Sequence, residues 1–123
     1  MKTVQTELAP AAIGPYSQGI EANGFLFTSG QIPIVPATGE VVGNTIEKQA
    51  KQVFENLQAV LEGGGSNLEQ VVKTTCFLAD MSDFLVFNKI YEEFFLGKPA
   101  RSCVAVKALP KNVLCEVEAI AVI

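Results

Sequence analysis

The stretch TIEKQAKQVFENLQAVLEGGG, Thr45 to Gly65, is followed after four residues by QVVKTTCFLA, Gln70 to Ala79. In the first, Ile46, Ala50, Val53, Phe54, Leu57, Val60 and Leu61 recur at the three- and four-residue spacing of one helix face. Asn44 or Thr45 is placed to cap its start, with Glu47 as a capping-box partner for Asn44. Gly63, Gly64 and Gly65 end it, because glycine tolerates the positive φ of a helix stop. The second stretch is rich in β-branched residues and reads as a strand. A helix running into a buried strand sets the pattern for the rest of the chain.

Outward from there, SDFLVFNKIYEEFF (Ser82–Phe95) repeats the helical signal through Phe84, Phe87, Ile90, Tyr91 and Phe94. Ser82 or Asp83 is the expected cap, and Gly97 and Pro99 close it. Upstream, a short strand is expected near Thr3–Thr6. SQGIEA and FLFTSG form a hairpin about Asn23-Gly24, a pair that favours positive φ. Downstream, RSCVAVKAL and VLCEVEAIAVI are expected to pair with each other around Pro110, Lys111 and Asn112. The order β-β-β-α-β-α-β-β describes an α+β fold: one mixed sheet with two helices packed on one face. Two helices leave the other sheet face open, and a second subunit is the expected cover.

The chain has 123 residues, and residues 1–123 are expected to make one domain. Hydrophobic residues make up 49% and charged residues 18%, which excludes a disordered chain and points to self-association. A formal charge of −4 without a basic run makes nucleic acid a poor candidate partner. No apolar leader or membrane-length segment is present, so no membrane partner is expected. Cys76, Cys103 and Cys115 lack CxxC spacing and suit a reducing, cytoplasmic compartment.

No histidine is present, which excludes a Ser-His-Asp triad and histidine-ligated metal sites. No calcium-loop or phosphate-loop spacing occurs, so neither metal nor cofactor is expected. The densest chemistry lies in PARSCVAVKALP. On a strand, Arg101 and Cys103 project from one face, about 7 Å apart. A guanidinium there binds a carboxylate in a fork or makes a salt bridge. Cys103 is either a reactive thiol or a small core residue. Glu116 and Glu118 share a strand face, where one neutralises Arg101 or orients a water, or both face solvent. Tyr16 lies in a Gly/Pro-flanked loop, where it binds a ligand or fills an apolar gap. In SGQIP, Gly30 permits close backbone approach beside Ser29.

Five blocks carry a resemblance: APAAIGPYSQG, TSGQIP, QVFENLQAVLE, VVKTTCFLADMSDF and PARSCVAVKALPKNVLCEVEAIAV. In this order they resemble the Rid family, the reactive intermediate deaminases, across nearly the whole chain, and most closely its imine-deaminase subgroup. The resemblance implies a chorismate-mutase-like fold and a homotrimer with active sites between subunits. It implies cofactor-free hydrolysis of 2-iminopropanoate and 2-iminobutanoate to 2-oxo acids and ammonia. By this resemblance Arg101 binds the substrate carboxylate, Cys103 lines the site and Glu116 positions water. Tyr16, Ser29, Gly30 and Asn88 complete the pocket. The sequence departs from the family's pattern in the short FFLGKPARS stretch and in cysteine at position 115. Competing expectations are a non-catalytic metabolite sensor or regulator, an endoribonuclease, and a chorismate mutase.

Overall fold

The computed structural model describes residues 1–123. The first helix, α1, runs from Ile46 to Gly63. Thr45 caps it by accepting a hydrogen bond from the Lys48 amide at 3.3 Å. With Thr45 as cap, Lys48 occupies the third helical position, so the Asn44–Glu47 capping box does not form. Gly65 follows with φ +84°, a left-handed conformation that a side chain would strain. The second helix, α2, runs from Phe84 to Phe94 after a short 3₁₀ turn over Met81–Asp83. Neither expected side chain caps it. The Asp80 carboxylate instead takes the Ser82 amide at 2.8 Å, one turn earlier.

Six strands make one sheet: β1 (Lys2–Val4), β2 (Gly19–Ala22), β3 (Phe25–Thr28), β4 (Val71–Leu78), β5 (Ala100–Ala105) and β6 (Cys115–Val122). Asn23 and Gly24, at φ 52° and 79°, turn β2 into β3 as expected. The spatial order is β1-β2-β3-β6-β4-β5. This corrects the expected β5–β6 pair: β5 lies parallel to β4, and β6 enters between β3 and β4, antiparallel to both. The reason is connectivity. Helix α2 carries the chain back over the sheet, which makes β5 a parallel neighbour of β4. Helix α1 does the same between β3 and β4 and leaves a gap one strand wide, which β6 fills. Both edges of β6 are then occupied, so β5 ends the sheet.

Both helices cover the same face. Strand residues Leu26, Cys76, Leu78, Cys115, Val117 and Ala121 are fully buried with Val53, Phe54, Leu57 and Leu61 of α1. Phe54 is the hub between the helices. The ring centroids of Phe87, Tyr91, Phe94 and Phe95 lie 5.2 to 5.8 Å from its own. Such tilted and edge-on contacts suit aromatic quadrupoles. Cys115 fits this core without disturbance, and burial pushes its thiol up to about 12. The opposite face is open. Phe25, Phe27 and Val104 lie there, each at least 40% exposed, with Phe77, Ile120 and Val122 as register neighbours.

Phe54→Ala removes the hub and leaves a cavity that four other rings cannot fill by small shifts. Its expected cost is about 3–5 kcal/mol, read as a lower midpoint in denaturant-induced unfolding.

Candidate active site

Arg101 follows Ala100 at the start of β5 and lies opposite Thr74 of β4. Thr74 is fully buried on the helix-covered face, so Arg101 points under α2. There the guanidinium carbon sits 4.6 Å from the Tyr91 ring centroid and 5.5 Å from that of Phe84. These contacts attract the cation to the ring faces. One Nη donates to the Asn88 side-chain oxygen at 2.7 Å. Phe84, Asn88 and Tyr91 are three and four residues apart, and so form one ridge of α2. The Tyr91 hydroxyl is fixed in turn by Thr74 Oγ1 at 2.7 Å, a buried contact.

Nothing in the sequence marks this aromatic bed as part of the site. Tyr91 scores as an apolar helix residue, and only the β4–β5 register brings Thr74 and Arg101 to it. The thiol of Cys103 projects from the same face as Arg101, opposite Cys76. Hydrogen bonding from the Cys76 thiol and the nearby Arg101 charge hold Cys103 down at about 7, despite partial burial.

Glu116 is elsewhere. It alternates with Cys115 and Val117, which face the helices, so its carboxylate lies on the open face with Glu118. Of the alternatives for these glutamates, neutralisation of Arg101 does not occur within the chain. The sheet separates them, with β4 standing between their strands. Glu116 packs against Gly30, where any Cβ would collide with its carboxylate. It is half-buried, whereas Glu118 is exposed. Burial, and then repulsion from Glu118, raise the Glu116 pKa above its ordinary value.

The Gly30 loop is held from two sides. Gln31 exchanges two backbone hydrogen bonds with Val117, at 2.8 and 3.2 Å. The Ser29 hydroxyl donates to the Ser17 carbonyl at 2.6 Å, next to the exposed Tyr16. Tyr16, Gly30, Gln31 and Ile32 help line a groove of about 450 Å³. The chain therefore presents two groupings. Arg101 and Cys103 lie under α2 beside its Asn88, whereas Tyr16, Ser29, Gly30 and Glu116 lie around the loop.

Comparison with known proteins gives the same family throughout. The family model described as endoribonuclease L-PSP matches residues 6–123. The 2-iminobutanoate/2-iminopropanoate deaminase of Escherichia coli K12 is 50% identical over 98% of this chain and 97% of its own. AldR of Lactococcus lactis, named as a candidate regulator, is 54% identical over 98% of this chain and 97% of its own. Escherichia coli TdcF, solved with bound serine, superposes with a TM-score of 0.95 at 42% identity, covering 100% of this chain and 99% of that one. The chain belongs to this family, the Rid proteins.

Because the Glu116 pKa is raised, the folded protein holds this proton to higher pH than the unfolded chain does. The resulting stabilisation is complete below the ordinary value of 4.5 and is lost as pH rises through the folded value. Glu116→Gln removes the titration. Denaturation midpoints at about pH 4 and about pH 7 are expected to show the variant gaining on the wild type as pH rises.

Proposed function

We propose that this protein hydrolyses reactive 2-imino acids, such as 2-iminopropanoate and 2-iminobutanoate, to 2-oxo acids and ammonia. The observation that carries this reading is Arg101. Its guanidinium is partly buried on an aromatic bed and hydrogen-bonded to a neutral amide rather than to a carboxylate. A cation so placed calls for an anionic ligand, and its free N–H groups match a carboxylate fork. The names of the Escherichia coli deaminase and of the serine-bound TdcF support a small amino-acid-like ligand.

The chemistry requires two groups. Arg101 fixes the substrate carboxylate, which sets the position of the adjacent C=N carbon. A carboxylate with a raised pKa takes a proton from water as oxygen adds to that carbon. It then returns that proton to nitrogen and, as the C–N bond breaks and ammonia leaves, takes the hydroxyl proton so that the carbonyl forms; this last proton passes to the released ammonia as ammonium. Glu116 fits this role, because its pKa is shifted towards the working range of a general base. A protonated imine is already electrophilic, so orientation supplies much of the remaining barrier reduction.

Arg101 and Glu116 lie on opposite faces of one sheet, so a site using both draws them from two copies of the chain. We assign the site to the cleft between neighbours in a cyclic homotrimer, with Arg101 and Asn88 from one subunit and Glu116, Gly30 and Tyr16 from the next. Phe25, Phe27 and Val104 on the open face give such an assembly apolar surface to bury.

The test generates 2-aminoacrylate with a dehydratase and follows pyruvate release with and without this protein. Acceleration is expected, with Arg101→Ala lowering kcat/KM by about 10- to 100-fold, the loss of a charged hydrogen-bonding partner. No acceleration by the wild type, or a fully active Arg101→Ala, rejects the proposal.

A further inference from the structure

Cys76 and Cys103 face each other across neighbouring strands. They are direct register partners in the parallel β4–β5 pair, and both side chains lie on the helix-covered face. Neighbouring strands are about 4.8 Å apart, within the roughly 4.4–6.8 Å between Cα atoms that a disulfide spans. The two thiols differ in setting. Cys76 is fully buried, with its sulfur 3.9 Å from the Thr74 hydroxyl. Cys103 is partly exposed on an edge strand, two residues from the cationic Arg101. The third thiol, Cys115, is fully buried on β6 and has Leu78, not another cysteine, as its partner on β4.

We propose that Cys76 and Cys103 form a dithiol modification site that hydroperoxides convert to an intrachain disulfide. Cys103 is the attacking thiol and Cys76 the resolving one. The low Cys103 pKa supplies thiolate near neutral pH, whereas the hydrogen bond to Cys103, and then burial, push Cys76 far up and keep it protonated. In the first step the Cys103 thiolate attacks one peroxide oxygen, the O–O bond breaks, and hydroxide leaves to become water. Cys103 becomes a sulfenic acid, oxidised by two electrons. In the second step the Cys76 sulfur attacks the sulfenic sulfur. The S–O bond breaks, and the departing hydroxide takes the Cys76 proton as water. For hydrogen peroxide the sum is two thiols and one peroxide giving one disulfide and two waters.

The sulfenic acid forms with its resolving partner already opposite it on the neighbouring strand. Cys103 shares its face with Arg101, so the disulfide alters the wall of the carboxylate pocket. That consequence rests on the imine-hydrolase reading, whereas the dithiol chemistry does not. A mass readout keeps the two separable.

The full-length protein is treated with one equivalent of hydrogen peroxide, the remaining thiols are alkylated, and the product is digested with trypsin. Cleavage after lysine and arginine places the three cysteines on separate peptides: Thr74–Lys89, Ser102–Lys107 and Asn112–Ile123. The expected product is the first two peptides joined, two hydrogens lighter than their sum and separated again by dithiothreitol. Cys76→Ser is expected to stop at a Cys103 sulfenic acid that dimedone traps. Cys103→Ser, at a partly exposed position, is expected to leave Cys76 and Cys115 unoxidised. Wild-type protein that accumulates dimedone-reactive Cys103 without the Cys76 link overturns the proposal. So does a link through Cys115 or between two Cys103 thiols.

Discussion

The structure depends on β6 lying in the middle of the sheet with both edges hydrogen-bonded. Its neighbours β3 and β4 are brought parallel by the α1 crossover, and β6 runs antiparallel to both. Alternation then decides where every β6 side chain goes. Cys115, Val117, Ala119 and Ala121 enter the core beneath the helices, whereas Glu116, Glu118, Ile120 and Val122 face outward. A one-residue slip would drive both carboxylates into the core and expose the apolar set. The Gln31–Val117 hydrogen bonds pin this register and seat Gly30 against Glu116.

The same alternation on β5 sends Arg101 the other way. Beneath α2 it meets aromatic faces and an amide, and Thr74 fixes the Tyr91 hydroxyl that closes this arrangement. A guanidinium held on rings retains its charge and much of its hydrogen-bonding fork. The fold thus prepares a cation on one face and a protonatable carboxylate on the other. For the proposed reaction these are complementary halves, and chain-to-chain association is what joins them. In the proposed trimer, association and catalysis both follow from one strand register.

Much of this was legible in the residues. The two helices, the Asn23-Gly24 turn and the order of elements follow from local periodicity and turn chemistry, which are properties of contiguous sequence. Sheet order is not such a property. VLCEVEAIAVI reads as a strand whichever neighbour it takes, so the β6 insertion emerges only from the two helical crossovers. The site shows the same division. Arg101, Cys103 and the pair Glu116 and Glu118 could be named from residue chemistry, with Glu116 singled out only by the family resemblance, and the shared face of Arg101 and Cys103 from alternation. The opposition of Arg101 and Glu116, and the thiol pair, depend on inter-strand register. Tyr91 was hidden because its spacing on α2 is that of any core aromatic.

The most direct test of a site shared between chains is complementation between two inactive variants. Arg101→Ala and Glu116→Gln protein are mixed in equal amounts, dissociated and reassembled together, and assayed for 2-aminoacrylate hydrolysis. Random reassembly around a ring gives about a quarter of the interfaces an intact Arg101 from one chain and an intact Glu116 from its neighbour. Recovery to roughly that fraction of wild-type activity is expected, from two preparations that are each nearly inactive alone. Activity that stays at the average of the two variants, although mixed oligomers have formed, would contradict a site built from both faces of the sheet.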